Sequence, residues 1–306
     1  TLVIDWRGSR FNRDRASGRN CIRDFFEVAD TLVGVPTLAG DAVAQLPFSD
    51  STYPPKWTRA NLVANAHVGH SAEEVASVNR LVASGQDRPE QWIAFNQWID
   101  PPPPRDEARK LLCELQFTPA IRAAAGRWFD EAVGTRQAVA IHIRHGNGEN
   151  IGSRAAYWLD PWRFAKQTVM NARIDVHRPG QHGRFGDNMP DSLIRTEHLR
   201  GSELAFLERV ARSVRGMQSQ LGNNAVPILF CDSPAVVESA SKLMPDLLVP
   251  PKAFLAPNAG PLHAMTASAE ASSARPTVDQ VSFEMCVEME LMRRCSALVC
   301  MASGFS

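Results

Sequence analysis

The most constraining feature of the chain is a short apolar run that leads directly into a charged loop containing two glycines. Residues 138–143, Ala-Val-Ala-Ile-His-Ile, have the composition of a strand that is buried on both faces, as in a parallel sheet covered by helices. The loop at residues 144–150 contains Arg144, His145 and Glu149. In open α/β sheets ligands bind just beyond the carboxyl ends of the strands, so this loop is a candidate site. The alternative is a solvated loop with a salt bridge.

A second apolar run also ends in polar residues. Residues 226–231 predict another buried strand, and Asp232 follows it directly. Ser233 and Pro234 have the residue types of a helix N-cap and a first helical turn. Free N–H groups and the positive end of the helix dipole lie at such a helix start, which makes it a natural site for an anion.

A third strand is predicted at residues 297–302 and is followed by Ser303 and Gly304. If the three strands are parallel, their ends converge on one edge of the sheet. This is a Rossmann-like nucleotide site in outline, although the chain contains no Gly-x-Gly-x-x-Gly fingerprint.

Apolar periodicity and capping residues predict the helices. Thr118-Pro119 predict a helix that ends at Gly134, and Ser202 predicts the cap of another helix. The second helix should bury a stripe formed by Leu204, Leu207, Val210, Val214 and Met217. Further helices are predicted over residues 21–27, 73–84, 106–116 and 158–170.

The region before the last strand combines an irregular segment with a helix. Residues 248–276 are rich in Pro, Ala and Ser and predict a long mobile loop, of the kind that often forms a lid. Thr277 predicts the cap of the following helix, in which Glu284 and Glu288 share one flank. The side chains predicted to be buried on this helix are Val281, Met285, Met289 and Met292.

Size and composition restrict the class of protein. A length of 306 residues favours two domains, and we place the boundary near residue 136. Hydrophobic residues make up 44% of the chain and charged residues 22%, as in ordinary globular proteins. The formal net charge is +0, so nothing in the charge balance indicates binding to nucleic acid or to an anionic membrane surface.

Cysteine usage and hydropathy indicate a cytoplasmic protein. The six cysteines form no Cys-x-x-Cys or zinc-like pattern, which favours buried, reduced thiols. No apolar run is long enough to cross a membrane. The chain begins inside a predicted strand and stops shortly after another, so we expect it to be an internal piece of a longer protein.

The loop allows two interpretations as a motif. Arg144-His145-Gly146 after an apolar strand resembles the start of histidine phosphatases, in which the His is phosphorylated and the Arg binds the phosphoryl group. That motif lies on the first strand of its fold, whereas here a domain's length of chain precedes it. The polar, Arg-containing helix start that follows the phosphatase motif is also absent.

A longer match supports the second interpretation. The segment 142–149, His-Ile-Arg-His-Gly-Asn-Gly-Glu, resembles the core motif of the NodZ family of rhizobial nodulation α-1,6-fucosyltransferases. It resembles more loosely the His-x-Arg-Arg motif of animal α-1,6-fucosyltransferases. Residues 1–10, 230–233 and 298–303 are similar to further segments of the NodZ family, in the same order along the chain.

The resemblance implies an α/β enzyme of GT-B-like fold, with two Rossmann-like domains facing a cleft. Residues 1–136 would form the acceptor-side domain and residues 137–306 the GDP-fucose-binding domain. The enzyme would transfer fucose from GDP-β-L-fucose to O6 of the reducing-end GlcNAc of a chitooligosaccharide or lipochitooligosaccharide (Nod factor), with inversion and without a cofactor or metal. In agreement, the chain contains no Asp-x-Asp pair of the kind that holds a metal on a diphosphate. The lipid-bearing acceptor would bring this cytoplasmic enzyme to the inner face of the inner membrane.

The resemblance and the distribution of charge together suggest the residues of the donor site. Arg144 would clamp the β-phosphate as GDP departs, assisted by N–H groups near Ser303 and Gly304. Glu288 can accept hydrogen bonds from N1–H and the amino group of guanine, and the backbone of His142 would lie beside the base. Asp232 and Ser233 would complete the site at the end of their strand.

The acceptor hydroxyl requires a general base. Glu149 is the first candidate and Asp232 the second, although Glu149 can instead form an orienting salt bridge to Arg144. His145 stands where the animal motif has a second Arg, and it would support the phosphate. A non-catalytic protein that binds nucleotide-sugar or chitin oligomers is a further alternative.

Overall fold

The computed structural model contains two compact units, residues 1–118 and 119–306. The residues that the structure describes are 1–7, 18–44, 52–53, 73, 76–77, 80, 92–93, 110, 113–143, 170–177, 193–201, 203–222, 224–254 and 278–301. No helix within these ranges is long and apolar enough to cross a lipid bilayer.

The described residues of the first unit form short strands and helical turns. Strand β4 pairs in parallel with β1 and antiparallel with β3, β2 pairs antiparallel with β7, and β5 pairs in parallel with β6. The elements are β1 (Leu2–Ile4), α1 (Ile22–Phe25), β2 (Phe26–Glu27), β3 (Thr31–Leu32), β4 (Val35–Ala39), α2 (Asp41–Ala44), β5 (Thr52–Tyr53), β6 (Trp92–Ile93) and β7 (Gln116–Phe117).

In the described part of the second unit, five strands form a mixed sheet with helices on both faces. Its strand order is β10-β9-β12-β8-β11. Strand β8 is parallel to its neighbours β11 and β12, and β9 is antiparallel to its neighbours β10 and β12. The elements are α3 (Pro119–Ala132), β8 (Ala138–Ile143), β9 (Met170–His177), β10 (Leu193–Gly201), α4 (Glu203–Leu221), β11 (Val226–Cys231), α5 (Pro234–Leu243), α6 (Val278–Arg294) and β12 (Ala297–Met301).

Alternate residues of the central strands pack into two separate cores, because successive side chains of a strand point to opposite faces. On one face Val139 and Ile141 of β8 pack with residues of α4 and α5. On the other face Ala138 and Ala140 pack with residues of α3 and α6. This two-sided burial confirms the interpretation of residues 138–143 as a central strand.

The capping residues predict the start and end of α3 correctly. The helix begins at Pro119, immediately after Thr118. Gly134 follows it with φ of +65°, and its N–H donates to the carbonyl of Phe129 at 3.0 Å. Glycine adopts this left-handed conformation without a Cβ clash, so the helix ends here.

Three predicted helices differ from the structure at their ends. The helix predicted over 21–27 gives way to β2, because Phe26 stacks on Phe117 of β7 at 5.0 Å between ring centroids. The helix predicted over 106–116 likewise ends before Gln116, which belongs to β7. Met170, the last residue of the helix predicted over 158–170, begins β9, while residues 158–169 lie outside the described ranges.

The buried face of α6 is also different from the prediction. Val281, Met285 and Met292 are only half-buried, and Met289 is 40% exposed. The buried positions of α6 are instead Ser282, Cys286, Glu290 and Leu291. Leu291 and Cys295, the residue directly after the helix, pack in one cluster with Ala125 of α3, and Val287 and Met292 pack against that cluster. On α4, similarly, Leu204 is 55% exposed although the rest of its predicted stripe is buried.

The packing of α3 affects the domain division. This helix packs on α6 and belongs to the second unit. The division between the units therefore lies at Thr118/Pro119, earlier than the boundary predicted near residue 136.

Candidate functional site at the carboxyl edge of the second sheet

The parallel strands of the second unit end together at one edge of the sheet. Cys231, the last residue of β11, pairs with Ile143, the last residue of β8. In β12, Cys300 pairs with His142. The predicted convergence of the three strand ends is therefore confirmed. The loop residues Arg144, His145, Glu149, Ser303 and Gly304, which follow these ends, lie outside the described residues.

Asp232 and Ser233 join the end of β11 to the start of α5, as predicted. Ser233 is the N-cap residue in an extended conformation, and Pro234 is in the first helical turn. The Ser233 side chain makes no capping hydrogen bond, although its carbonyl accepts from the N–H of Val237 at 3.1 Å. The half-buried Asp232 side chain thus lies at a helix N-terminus on the carboxyl edge.

A thiol lies beside this carboxylate. The Sγ of Cys231 is 3.9 Å from Oδ1 of Asp232, within reach of a weak S–H hydrogen bond. Complete burial raises the pKa of the Cys231 thiol well above its ordinary value, and the negative charge of Asp232 raises this pKa further. Cys231 is consequently an uncharged neighbour of the site rather than a nucleophile.

A largely buried ion pair near this edge joins Lys252 to Glu288 of α6. The Nζ of Lys252 lies 2.8 Å from Oε1 and 3.0 Å from Oε2 of Glu288, and each side chain is 13% exposed. Burial raises the pKa of the Glu288 carboxyl, while the charge and hydrogen bonds of Lys252 oppose this rise. The negative charges of Asp232 and Glu284 raise the same pKa further, so the two predicted donor-site carboxylates, Asp232 and Glu288, interact electrostatically.

Lys252 lies on a segment that is attached to the protein at both ends. The N–H of Leu248 donates to the carbonyl of Pro227 at 2.9 Å, and the carbonyl of Leu248 accepts from the N–H of Leu229 at 2.9 Å. Further on, the N–H of Ala253 donates to Oε2 of Glu284 at 2.7 Å. Residues 248–254 are thus held between β11 and α6, unlike the mobile loop that was predicted for 248–276. The rest of that loop lies outside the described residues.

The predicted shared flank of Glu284 and Glu288 is confirmed, since both carboxylates face residues 252–253. Lys252 itself was not predicted as a site residue. It is 36 positions from Glu288 in sequence. The one local sign of order in this segment is Pro250-Pro251 directly before Lys252, because the proline rings fix the backbone φ angles there.

The end of β1 in the first unit also carries polar residues. Arg7 is 4% exposed, and its Nε lies 3.0 Å from both carboxylate oxygens of Asp5. Asn20 fixes the same strand end, donating to the carbonyl of Ile4 at 2.7 Å and accepting from the N–H of Trp6 at 3.2 Å. These groups form a local, partly buried network.

The described residues form neither a metal-binding cluster nor a disulfide. Within the described ranges, no group of three or more His, Cys, Asp or Glu side chains can hold a metal ion. All six cysteines fall in those ranges and none forms a disulfide; five are buried and Cys113 is half-buried.

Comparison with known proteins identifies the family. The model of the Nodulation protein Z (NodZ) family matches residues 1–185 and 179–306, and so spans the chain. The chain belongs to the NodZ family. The match includes the Arg144-His145-Gly146 loop, and it favours the transferase interpretation of that loop over the histidine-phosphatase interpretation.

Individual members of the NodZ family agree with this assignment. Nodulation protein Z of Bradyrhizobium diazoefficiens is 26% identical over 300 residues, which cover 98% of this chain and 67% of the relative. A solved structure of fucosyltransferase NodZ from Bradyrhizobium superposes with a TM-score of 0.57 at 20% identity, covering 96% of this chain and 76% of the other. A NodZ α-1,6-fucosyltransferase soaked with GDP-fucose gives 0.55 at 17% identity, with coverage of 96% and 75%. The chain therefore belongs to a family of glycosyltransferases and shares their fold.

Proposed function

We propose that this protein transfers L-fucose from GDP-β-L-fucose to O6 of the reducing-end GlcNAc of a chitooligosaccharide or lipochitooligosaccharide. The observation that carries the proposal is the family match across the chain, because solved members include a NodZ α-1,6-fucosyltransferase soaked with GDP-fucose. The arrangement of charges supports it, since Asp232, Glu288 and Lys252 interact near the edge where parallel strands end. The GT-B-like layout, with two Rossmann-like domains, is part of the same proposal.

The donor diphosphate would bind beyond the ends of β8, β11 and β12. As the bond between C1 of fucose and the β-phosphate oxygen breaks, negative charge develops on that phosphate. Arg144 would bind it through two parallel hydrogen bonds, with His145 in support. N–H groups near Ser303, Gly304 and the start of α5 would stabilise the same charge, because backbone donors at a helix N-terminus favour anions.

Guanine would be recognised by the carboxylate of Glu288. N1–H and the 2-amino group are adjacent donors on one edge of the base, and an ionised carboxylate is an acceptor with two oxygens. The backbone of His142 would lie beside the base, in the strand between β11 and β12. Asp232 and Ser233, which follow β11, would complete the donor site, and Asp232 interacts electrostatically with Glu288.

The acceptor would attack with inversion. The O6 oxygen of GlcNAc forms a bond to C1 of fucose on the face opposite GDP, its proton passes to a carboxylate, and GDP leaves with the electrons of the broken C–O bond. Glu149 is our first candidate for that general base and Asp232 the second. We propose that the reaction needs no metal and takes place in the cytoplasm, where the six cysteines, none of which forms a disulfide, remain reduced.

The test uses the full-length protein, GDP-fucose and a chitin pentamer, with EDTA present. Mass spectrometry should find one added deoxyhexose, and Arg144→Ala should abolish it. Lys242→Met, at an exposed pair on α5, is the control and should retain activity. Saturable GDP-fucose binding without product would leave only a binding protein. Phosphate release from phosphomonoesters that depends on His145 would contradict the transferase assignment.

A further inference from the structure

The contact between Lys252 and Glu288 has features that an incidental surface ion pair lacks. Both side chains are 13% exposed, and one ammonium group reaches both carboxylate oxygens. The Nζ of Lys252 also lies 5.5 Å from the centre of the Phe254 ring, which adds a cation–π contact. Hydrogen bonds of Leu248 and Ala253 hold the segment on both sides of Lys252. The lysine is therefore kept in position by its surroundings.

The charges around Glu288 would otherwise oppose its ionisation. From the end of β11 it faces Asp232 and the buried thiol of Cys231, and from its own helix it faces Glu284. Burial and the two neighbouring carboxylates raise the pKa of Glu288. Within the described residues, Lys252 is the group identified as lowering that pKa, through its charge and its hydrogen bonds.

We propose that Lys252 is a positioning residue that sets the base specificity of the donor site by holding Glu288 as a fixed, doubly accepting carboxylate. This inference rests on the proposed binding of GDP-fucose. Lys252 contacts Glu288 and would affect nucleotide binding through that carboxylate.

The chemistry of the bases gives this role a consequence. An ionised carboxylate only accepts hydrogen bonds, which matches the N1–H and 2-amino donors of guanine. A protonated carboxyl has one donor and one acceptor, which instead matches N1 and the 6-amino group of adenine. Sites built for one hydrogen-bonding pattern reject analogues that leave buried groups unpaired. Loss of Lys252 should therefore weaken guanine binding selectively, and most at low pH.

The experiment is calorimetric titration of GDP, IDP and ADP into full-length protein over a range of pH. The variants are Lys252→Met, Lys252→Arg, which retains the cation, and Lys242→Met. The last removes an exposed lysine, paired with Glu238, by the same substitution. Circular dichroism checks that each variant is folded.

We expect wild type, Lys242→Met and Lys252→Arg to prefer GDP over IDP and ADP at neutral and alkaline pH. Lys252→Met should bind GDP about ten- to hundredfold more weakly at neutral pH, the effect of one lost charge-assisted hydrogen bond. Its GDP affinity should recover as the pH rises, while its ADP affinity should not fall.

The outcomes separate this inference from the proposed function. If wild type does not bind GDP, the proposed function fails and the inference falls with it. If wild type binds GDP but Lys252→Met has the same affinity and pH profile, only the inference is wrong. A pH-independent loss that is equal for GDP and ADP would also overturn it, because it would indicate a structural role alone. Should Lys252→Met not fold, loss of base discrimination in Lys252→Arg would overturn it as well.

Discussion

Replacement of Lys252 by Met should destabilise the protein in a pH-dependent way, even without nucleotide. The change removes the ammonium but keeps a side chain of similar length. It leaves Glu288 only 13% exposed and without its partner at 2.8 Å. Breaking a buried ion pair by removing one partner costs about 3–5 kcal/mol. Because both side chains keep some exposure, we expect the Lys252→Met variant to lose about 2–3 kcal/mol of its free energy of unfolding near pH 8.

The sign of the pH dependence follows from the pKa of Glu288, which burial raises above its ordinary value of 4.5. A carboxyl with a raised pKa in the folded state makes folding less favourable as the pH rises from its unfolded to its folded pKa. Loss of Lys252 removes the interactions that lower this pKa, so the variant should lose more stability as the pH increases. The difference from wild type should therefore be large near pH 8 and small near pH 5.

Urea denaturation at both pH values measures this difference. Lys242→Met, at an exposed pair, should show no measurable loss at either pH. Lys252→Met combined with Glu288→Met should recover most of the stability, since apolar side chains can replace a buried ion pair. A loss that is independent of pH, or larger in acid, would refute the reasoning.

Three other predictions test the backbone, the thiols and the chemistry. Gly134→Ala should destabilise the protein by about 1 kcal/mol, because φ is +65° at this position. Gly216→Ala, inside α4, should stabilise it by about 0.5–1 kcal/mol, because no atom lies within 4 Å of the new Cβ. Urea denaturation of both variants measures these changes. Burial raises the pKa of Cys286 to about 12, so an alkylating reagent should modify this thiol only in denaturant, as detected by mass spectrometry. Modification of Cys286 in the native protein would contradict the packing of α6. Glu149→Gln should lower kcat by about 10²–10⁴-fold with GDP affinity unchanged, and Asp232→Asn should lower kcat by a smaller factor. If steady-state kinetics instead show the larger loss of kcat in Asp232→Asn, the general base is Asp232.

The three parallel strands of the second sheet, β8, β11 and β12, were predictable because they are apolar runs. Residues 138–143 and 226–231 are buried on both faces, so hydrophobicity alone identifies them. The hairpin of β9 and β10 was not predicted. Its strands, residues 170–177 and 193–201, contain several charged residues and acquire their structure by pairing with each other and with β12. Such pairing is a property of the tertiary fold and leaves little local signal.

The candidate site was predictable to a different extent. Strand ends locate Asp232 and Ser233, because the carboxyl edge of a parallel sheet follows from topology. Glu288 was selected for its chemistry, and its burial became evident only in the structure. Lys252 was missed because the contact depends on how an irregular segment folds back onto α6. The buried face of α6 was predicted incorrectly, because hydrophobicity does not identify Ser282 as a buried position, whereas the structure buries it together with Cys286 and Leu291.

The most direct test of the central claim is the structure of the reaction product. Full-length protein should be incubated with GDP-fucose and a chitin pentamer, and the product analysed by NMR. We predict one fucose in α-linkage to O6 of the reducing-end GlcNAc, formed from the β-linked donor with release of GDP. A β-linkage, attachment to another hydroxyl or sugar, or hydrolysis of GDP-fucose without transfer would contradict the account.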